Sequence, residues 1–283
     1  MPMKNICSSM KFKNWKLFVK RAVEREGFSV FLTGSSSKLL SKETASSLRG
    51  RTLTFELFPF SFREFLKAKG LKVEKYISTK KEARIKAFLR EYLEFGGFPE
   101  IVFMNDEYLK RKTLEEYVDV MLYRDDVVER HSIKNLKAVR LFLKLLITSF
   151  SKKFSINRST NYMRSLGIEV SKNTLYNYLE YFSDAYVIFP LKRFSYSLKE
   201  VEKSLPKIYV VDNGLINVYS LRFSEDIGRL MKNVVFLELR RREKEVYYFK
   251  ANGNEVDFLI KNGKDVSELI QVFLFDRGFH HQR

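Results

Sequence analysis

The sequence predicts a mixed α/β fold, and three patterns support this class. Apolar residues at helical spacing over 15–26 lead directly into the apolar strand pattern FSVFLTG. Helical patterns separated by short polar turns fill most of residues 80–185, and strand patterns dominate after residue 207. With 45% hydrophobic and 15% aromatic residues, the 283-residue chain can bury real cores, which excludes wholesale disorder.

The charge balance predicts a polyanionic partner. The 52 lysines and arginines outnumber the 34 acidic residues, giving a net charge of +18. Such a field attracts nucleic acid first and an anionic membrane surface second, and an acidic protein partner is the alternative. Cys7 is the one cysteine of the sequence, which excludes a disulfide framework and fits a reducing cytosol. No apolar run approaches the roughly 20 residues that span a bilayer, so we expect a soluble, cytoplasmic protein without a membrane partner.

The first 70 residues have the pattern of an incomplete α/β sheet. The helix WKLFVKRAVERE ends at Gly27, and the strand FSVFLTG follows it. The serine-rich stretch SSSKLLSKETASSLRG predicts a second helix, and TLTFELFPF alternates as a strand up to Pro59. SFREFLKAKG then predicts a helix closed by a glycine. This part is too small for a complete sheet.

The middle of the chain predicts a winged helix. After a helical stretch broken by GGFPE, three helical patterns follow: LKAVRLFLKLLITSF, SINRSTNYMRSLG and SKNTLYNYLEYFSDA. The apolar strand YVIFPL comes next, and helix, helix, turn, helix, strand is the order typical of winged-helix domains. The rest of the chain predicts further strands, among them KIYVVD and NEVDFLIKN, and one helix.

Several of these segments together resemble a known family. Residues 31–66, FLTGSSSKLLSKETASSLRGRTLTFELFPFSFREFL, resemble the sensor-strand region of a prokaryotic, especially archaeal, AAA-type ATPase family. The segments EYLEFGGFPEIV, YRDDVVER and NEVDFLI with ELIQV are similar to the domain that habitually follows that ATPase. The resemblance implies the end of an ATPase core at 1–70, a helical connector at 71–133, a winged helix at 134–206 and a nuclease-like α/β domain at 207–283.

The nucleotide site that the resemblance implies is incomplete. Intact members bind ATP and magnesium through the loop G-x-x-x-x-G-K-[ST], and this motif does not occur in the sequence. The one Gly-Lys pair, Gly263-Lys264, is followed by Asp265, and the position of the family's acidic pair falls on Cys7-Ser8-Ser9. We therefore expect a chain that is shortened at its amino-terminal end and binds no cofactor of its own. We also expect a shortened carboxyl end, because FLFDRGFHHQR departs from the continuation that the family has after the last core strand.

Part of that site remains recognisable. Ser35 or Ser36 matches the family's polar sensor position, and Arg51 resembles an arginine at a subunit boundary that reaches a neighbour's γ-phosphate. In the alternative interpretation the serines cap a helix and Arg51 pairs with a surface acid. Without the phosphate loop, the alternative is favoured.

The C-terminal segment resembles a restriction-type nuclease that has lost its site. Such enzymes use an aspartate and then a Glu-x-Lys on the next strand to hold a metal and activate water. Asp257 matches the aspartate, and Glu238 in the preceding helix is a candidate further acid. Gln271 and Phe273 stand where the second acid and the lysine would be. We expect a degenerate nuclease-like fold without a metal site or nuclease activity.

The predicted winged helix carries the candidate nucleic-acid contacts. Ser171 is the predicted N-cap of a recognition helix, and Lys192 and Arg193 lie in the predicted wing. Amide and lysine side chains at the start of such a helix can meet base edges and phosphates in a major groove. Docking of a protein, or packing alone, are the alternatives. The candidate contacts on the helix are Lys172, Asn173, Tyr176 and Asn177.

Three functions therefore stay open. The first is a binding protein for nucleic acid, in particular duplex DNA, without catalysis. The second is an ATPase subunit that contributes Arg51 to a complete ATPase partner or to another copy of itself. The third is a metal nuclease with a rearranged site. The three histidines, His131, His280 and His281, have no zinc-ligand spacing.

Overall fold

A computed structural model describes most of the chain: residues 5–8, 15–32, 53, 55–72, 74, 76–123, 131, 133–219, 223–251 and 253–273. Its mixture of helices with small parallel and antiparallel sheets confirms the predicted α/β class. The candidates Ser35, Ser36 and Arg51 lie outside the described residues, as do His280 and His281.

The first described unit is a strand, a helix and a parallel strand. Strand β1 (Asn5–Ser8) pairs in parallel with β2 (Ser29–Leu32), and helix α1 (Trp15–Glu24) connects them. Gly27 has a φ of 67°, a left-handed conformation that suits glycine at the end of a helix. The predicted helix and strand of this region are therefore confirmed.

Four helices follow, and the turn GGFPE separates the second from the third. The predicted helix after Pro59 begins with a capping box, in which Ser61 and Glu64 satisfy each other's backbone amides. The next long helix ends at Gly96, where the GGFPE motif breaks the helical stretch as predicted. The helices are α2 (Phe62–Ala68), α3 (Thr79–Phe95), α4 (Pro99–Phe103) and α5 (Glu107–Tyr123).

Three further helices and an antiparallel strand pair form the centre of the chain. All three predicted helices are present, and each starts at a residue whose side chain accepts a backbone N–H: Asn135, Ser155 or Ser171. Phe150 and Lys153, between the first two helices, bridge to the second strand of the pair. The elements are α6 (Leu136–Thr148), α7 (Ile156–Ser165), α8 (Lys172–Asp184), β3 (Ile188–Leu191), α9 (Leu198–Lys203) and β4 (Lys207–Val210).

The chain ends in two helices and an antiparallel sheet. The backbone of Tyr248 bonds to Lys192 and Phe194, so the three-stranded sheet continues the β3–β4 pair. The elements are α10 (Asn213–Tyr219), α11 (Phe223–Arg241), β5 (Glu245–Ala251), β6 (Asn254–Asn262) and β7 (Asp265–Ile270), with β6 in the middle of the sheet.

One hydrophobic core joins most of these elements. It runs from Leu93 on α3 to Ile260 on β6 and includes buried side chains of α6, α8, β4 and α11. The ring of Tyr209 stacks on Phe236 with 4.2 Å between centroids, which fixes α11 against β4. The central helices and the C-terminal sheet are thus packed as one body.

The predicted strand TLTFELFPF is not a strand in the described residues. Residues 53 and 55–61 form neither helix nor strand. The reason is that this segment is held by side chains of α11 rather than by a neighbouring strand: Arg240 pairs with Glu56 at 2.9 Å, and Arg241 donates to the carbonyl of Pro59 at 2.6 Å. Within the described residues, no helix is long and apolar enough to cross a membrane.

Candidate nucleic-acid interface

Helix α8 exposes the polar face that the sequence predicts. Its buried face consists of Leu175, Tyr178 and Phe182, which pack into the core. The opposite face exposes all four candidate contacts together, namely Lys172, Asn173, Tyr176 and Asn177. The structure therefore brings the candidates on this helix together on one side.

The start of α8 is well suited to anions. The Oγ atom of Ser171 accepts the N–H of Thr174 at 3.0 Å, so the predicted N-cap is present. No acidic residue lies in the first turn, where Lys172 and the remaining free N–H groups concentrate positive charge. Ser171 Oγ also lies 2.9 Å from the hydroxyl of Thr174, which fixes the cap geometry.

Helix α7 adds more exposed polar side chains beside α8. Its buried residues face α6 and α8, whereas Asn157, Arg158, Asn161 and Arg164 are exposed. Among the described residues, neither of these arginines forms an ion pair. Their charges are therefore available to a polyanion.

The two predicted wing cations are bound to other groups. The Nζ atom of Lys192 lies 2.8 Å from Oε1 of Glu202, and both side chains are largely exposed. Arg193 donates through Nη2 to the carbonyl of Lys250 at 2.9 Å and so joins the wing to β5. The polar side-chain contacts of Lys192 and Arg193 are therefore with Glu202 and Lys250 and not with the candidates on α8.

The positive charge is concentrated in two parts of the chain. Residues 134–206 contain 13 lysines and arginines against 5 acidic residues, a net charge of +8, and residues 1–70 contain 14 against 5. Residues 71–133 contain 12 against 13, so the helical connector is close to neutral. The predicted winged helix therefore carries much of the field that attracts a polyanion.

The structure brings two of the three nuclease-like candidates together. The backbone N–H of Asp257 donates to Oε1 of Gln271 at 3.0 Å, and Oδ2 of Asp257 accepts the N–H of Val272 at 3.1 Å. Glu238 instead pairs at 2.7 Å with Arg242, the residue that directly follows its helix. The α11 residue that contacts Asp257 is Lys232, whose Nζ lies 2.6 Å from Oδ1.

Lysines surround the acids of this site. Lys207 is 3% exposed, and its Nζ lies 2.7 Å from Oε1 of Glu255 and 3.7 Å from Oδ1 of Asp257. Lys153 contacts the other oxygen of Glu255 at 2.5 Å. Burial raises the pKa of the Glu255 carboxyl, but the hydrogen bonds from Lys153 and Lys207 outweigh burial and leave that pKa below its usual value.

These residues do not fit a magnesium ion. Ammonium groups already bind the carboxylate oxygens that a metal would need, and Phe273, 71% exposed, supplies no charge. Within the described ranges, no group of three or more metal-ligating side chains is present. Sequence reasoning missed Lys207, Lys232 and Glu255, because their contacts join residues far apart in the chain and leave no local pattern.

Comparison with known proteins supports part of the family resemblance. The family model described as an AAA domain matches residues 10–66. This match confirms the predicted resemblance to AAA proteins. A second model, a domain of unknown function (DUF8612), matches residues 86–226.

Two curated relatives are similar over nearly the whole chain. An uncharacterized protein of Methanocaldococcus jannaschii is 48% identical over 263 residues, which are 92% of this chain and 58% of that protein. An uncharacterized protein of Haemophilus influenzae is 27% identical over 268 residues, 95% of this chain and 65% of that protein. The chain thus spans less than two thirds of the length of both relatives.

Proposed function

We propose that this relative of AAA ATPases binds duplex DNA, with residues 134–206 as a winged helix and α8 as its recognition helix. The proposed function includes neither ATP hydrolysis nor DNA cleavage by this chain. The sequence lacks the phosphate-binding loop that ATP hydrolysis requires, and lysines neutralise the acids near Asp257 that a nuclease would use.

The order of elements supports the winged-helix assignment. Helices α6, α7 and α8 are followed by β3, which pairs in antiparallel fashion with β4, the strand that begins directly after residues 134–206 at Lys207. Phe150 and Lys153, between the first two helices, each form an isolated bridge to β4. A three-helix unit closed by such a small sheet is the arrangement in which the third helix can enter a major groove.

The exposed polar face of α8 is the observation that carries the proposal. Amide side chains such as Asn173 and Asn177 can pair with the edges of bases, and Lys172 can pair with guanine or a phosphate. Arg158 and Arg164 on α7 lie exposed in the same positively charged segment, where phosphate contacts supply most non-specific affinity. A protein-docking surface would more often be apolar at its centre.

Fluorescence anisotropy with a labelled duplex tests the proposal. At low salt we expect binding in the micromolar range or tighter, and Lys172→Glu should weaken it by about tenfold or more. Lys112→Glu on α5 is the matched control, because Lys112 is also exposed but lies in the nearly neutral connector. No binding, or equal losses in both variants, would show that α8 is not a DNA-binding helix.

A further inference from the structure

The connection between β3 and β4 forms one wall of a cavity to which no residue of α8 contributes. Strand β5 and the turn after it form the other wall, and the cavity has a volume of about 480 Å³. This volume is in the range of pockets that bind small ligands. We call the cavity the wing pocket, and its lining includes Arg193, Phe194, Tyr196, Phe249 and Lys250.

Three aromatic side chains line the wing pocket. The ring of Phe194 is buried, and the rings of Tyr196 and Phe249 lie 5.1 Å and 6.4 Å from it between centroids. Tyr196 meets Phe194 in an edge-to-face contact with an angle of 76° between the rings, yet Tyr196 is 86% exposed. At least one face of the Tyr196 ring is therefore open to stacking by another flat ring.

The aromatic wall is held in place by the backbone of β5. The N–H of Phe194 donates to the carbonyl of Tyr248 at 2.8 Å, and the N–H of Tyr248 donates to the carbonyl of Lys192 at 3.1 Å. Within the wing, Oγ of Ser195 donates to Oε2 of Glu200 at 2.8 Å. Because these contacts order the pocket in advance, a ligand loses less binding energy to the ordering of the protein.

The polar groups of the wing pocket include a buried donor without a partner. Arg193 donates through Nη2 to the carbonyl of Lys250, but its Nε–H is buried and has no hydrogen-bond partner among the described residues. Such a group calls for a water molecule or an acceptor on a ligand. Lys250 lines the pocket and Lys199 lies in the wing, and in the described part of the chain neither of these exposed lysines forms an ion pair. Their charges are available to a phosphate.

An unpaired nucleobase matches this combination of groups. Its flat ring can stack on Tyr196, its edge can accept a hydrogen bond from Arg193, and its phosphate can contact Lys250. The bases of a duplex are covered by their neighbours in the stack, so a base reaches such a pocket only from a single strand or after it is extruded. An apolar peptide segment would fit less well, because it would leave the cations of the pocket without partners.

We propose that the wing pocket binds an unpaired base of single-stranded DNA, at a site separate from the polar face of α8. Stacking on Tyr196 supplies the contact to the base, and the lysines supply the contacts to the backbone. The proposal does not depend on duplex binding by α8, because none of the residues that carry it belongs to that helix.

The probe is a short strand of abasic sugars that carries 2-aminopurine at one position. This fluorescent base loses emission when it stacks on another ring, so we expect the full chain to bind the strand and reduce its emission. A strand of the same length in which every sugar is abasic keeps all the phosphates and should bind about tenfold more weakly. Equal affinities for the two strands would show that only phosphates are bound, which would overturn the proposal.

Substitutions of Tyr196 test the stacking contact. Tyr196→Ala should weaken binding of the 2-aminopurine strand by about tenfold and remove most of the loss of emission, whereas Tyr196→Phe should retain both. The ring is largely exposed, so neither change removes a core contact. Tyr108→Ala is the control, because this ring of α5 is also exposed, at 73%, but does not line the wing pocket. A full loss of emission with Tyr196→Ala, or equal effects of the alanine substitutions at Tyr196 and Tyr108, would contradict the proposal.

A second comparison separates this site from the one on α8. Tyr196→Ala should leave the affinity for a blunt-ended duplex unchanged, and Lys172→Glu should leave the loss of 2-aminopurine emission at saturation unchanged. If Tyr196→Ala weakens the blunt duplex as much as the single strand, the wing binds paired DNA and the proposal is wrong. Failure of this proposal is thus distinguishable from failure of duplex binding by α8.

Discussion

The backbone N–H of Gly97 donates a hydrogen bond of 2.7 Å to Oδ2 of Asp212, although the two residues are 115 positions apart. The other carboxylate oxygen accepts the N–H of Gly214 at 2.7 Å. Burial raises the pKa of Asp212 to about 7, against the lowering effect of these two hydrogen bonds and of Arg241. Asp212 therefore ties the turn after α3 to the start of α10.

Gly97→Ala should destabilise the protein by about 3 kcal/mol or more. A Cβ at this position would lie 2.2 Å from the backbone carbonyl of Phe60, so the backbone itself must move. Gly167→Ala is the control: Gly167 has a φ of +73° but open space around it, and the change should cost only about 1–2 kcal/mol of conformational strain. Urea unfolding measures both, and equal losses would contradict the close-contact explanation.

The stability should fall as the pH rises toward neutrality. The folded pKa of Asp212, about 7, is above its value near 3.9 in the unfolded chain, so the folded state binds the proton more tightly. The stabilisation that comes from this proton is complete below pH 4 and is lost as the pH rises through 7. The free energy of unfolding should therefore fall by about 3 kcal/mol between pH 5 and pH 8. Urea unfolding at a series of pH values measures it.

Asp212→Asn isolates this group from other titrating residues. The variant cannot titrate, and its NH₂ group must face an N–H donor, so it should be less stable at pH 5 than the wild type. Its stability should also change less between pH 5 and pH 8. A variant with the same pH dependence as the wild type would assign the effect to another residue.

Local patterns predicted the helices better than the contacts between elements. The helix 172–184 and its cap Ser171 were predictable because apolar spacing and an N-capping residue are adjacent in the sequence. Apolar and polar residues also alternate in TLTFELFPF, but such an alternation does not show whether a neighbouring strand is present to pair with. The strand predicted for this segment was therefore wrong for the described residues. The Lys207–Glu255 pair joins β4 to β6, and no local rule reports such a contact.

Asn233→Ala should cost about 2–4 kcal/mol. The side chain of this fully buried residue accepts the N–H of Val210 and donates to its C=O, both at 2.9 Å, as a neighbouring strand would do. Its removal leaves two buried backbone groups without partners. Asn173→Ala, which removes an exposed amide of α8, should leave the unfolding midpoint unchanged. Comparable midpoints for the two variants would contradict this role of Asn233.

The chain should neither bind magnesium tightly nor nick DNA. The oxygens of Asp257 already contact Lys232 and the N–H of Val272, which leaves few ligands for a hard cation. Calorimetry with magnesium or manganese should be flat, and supercoiled plasmid should stay intact. If plasmid is nicked by the wild type and not by Asp257→Ala, the site near Asp257 is an active nuclease.

Binding of duplex DNA should weaken steeply as the salt concentration rises. Lys172 should account for about one unit of the slope of log affinity against log salt concentration. Each neutralised phosphate releases counterions, so log affinity falls by about 0.9 per contact for each log unit of salt. Lys172→Ala should reduce the slope by about one, because the variant lacks the exposed ammonium group on the first turn of α8 and so loses one phosphate contact. Asn173→Ala should leave the slope unchanged and act only where bases are read, and Lys112→Ala should change neither. Anisotropy titrations between low and physiological salt measure the slopes. If the affinity does not change with salt concentration, binding does not depend on phosphate contacts. Helix α8 would then be better explained as a surface that binds a protein partner.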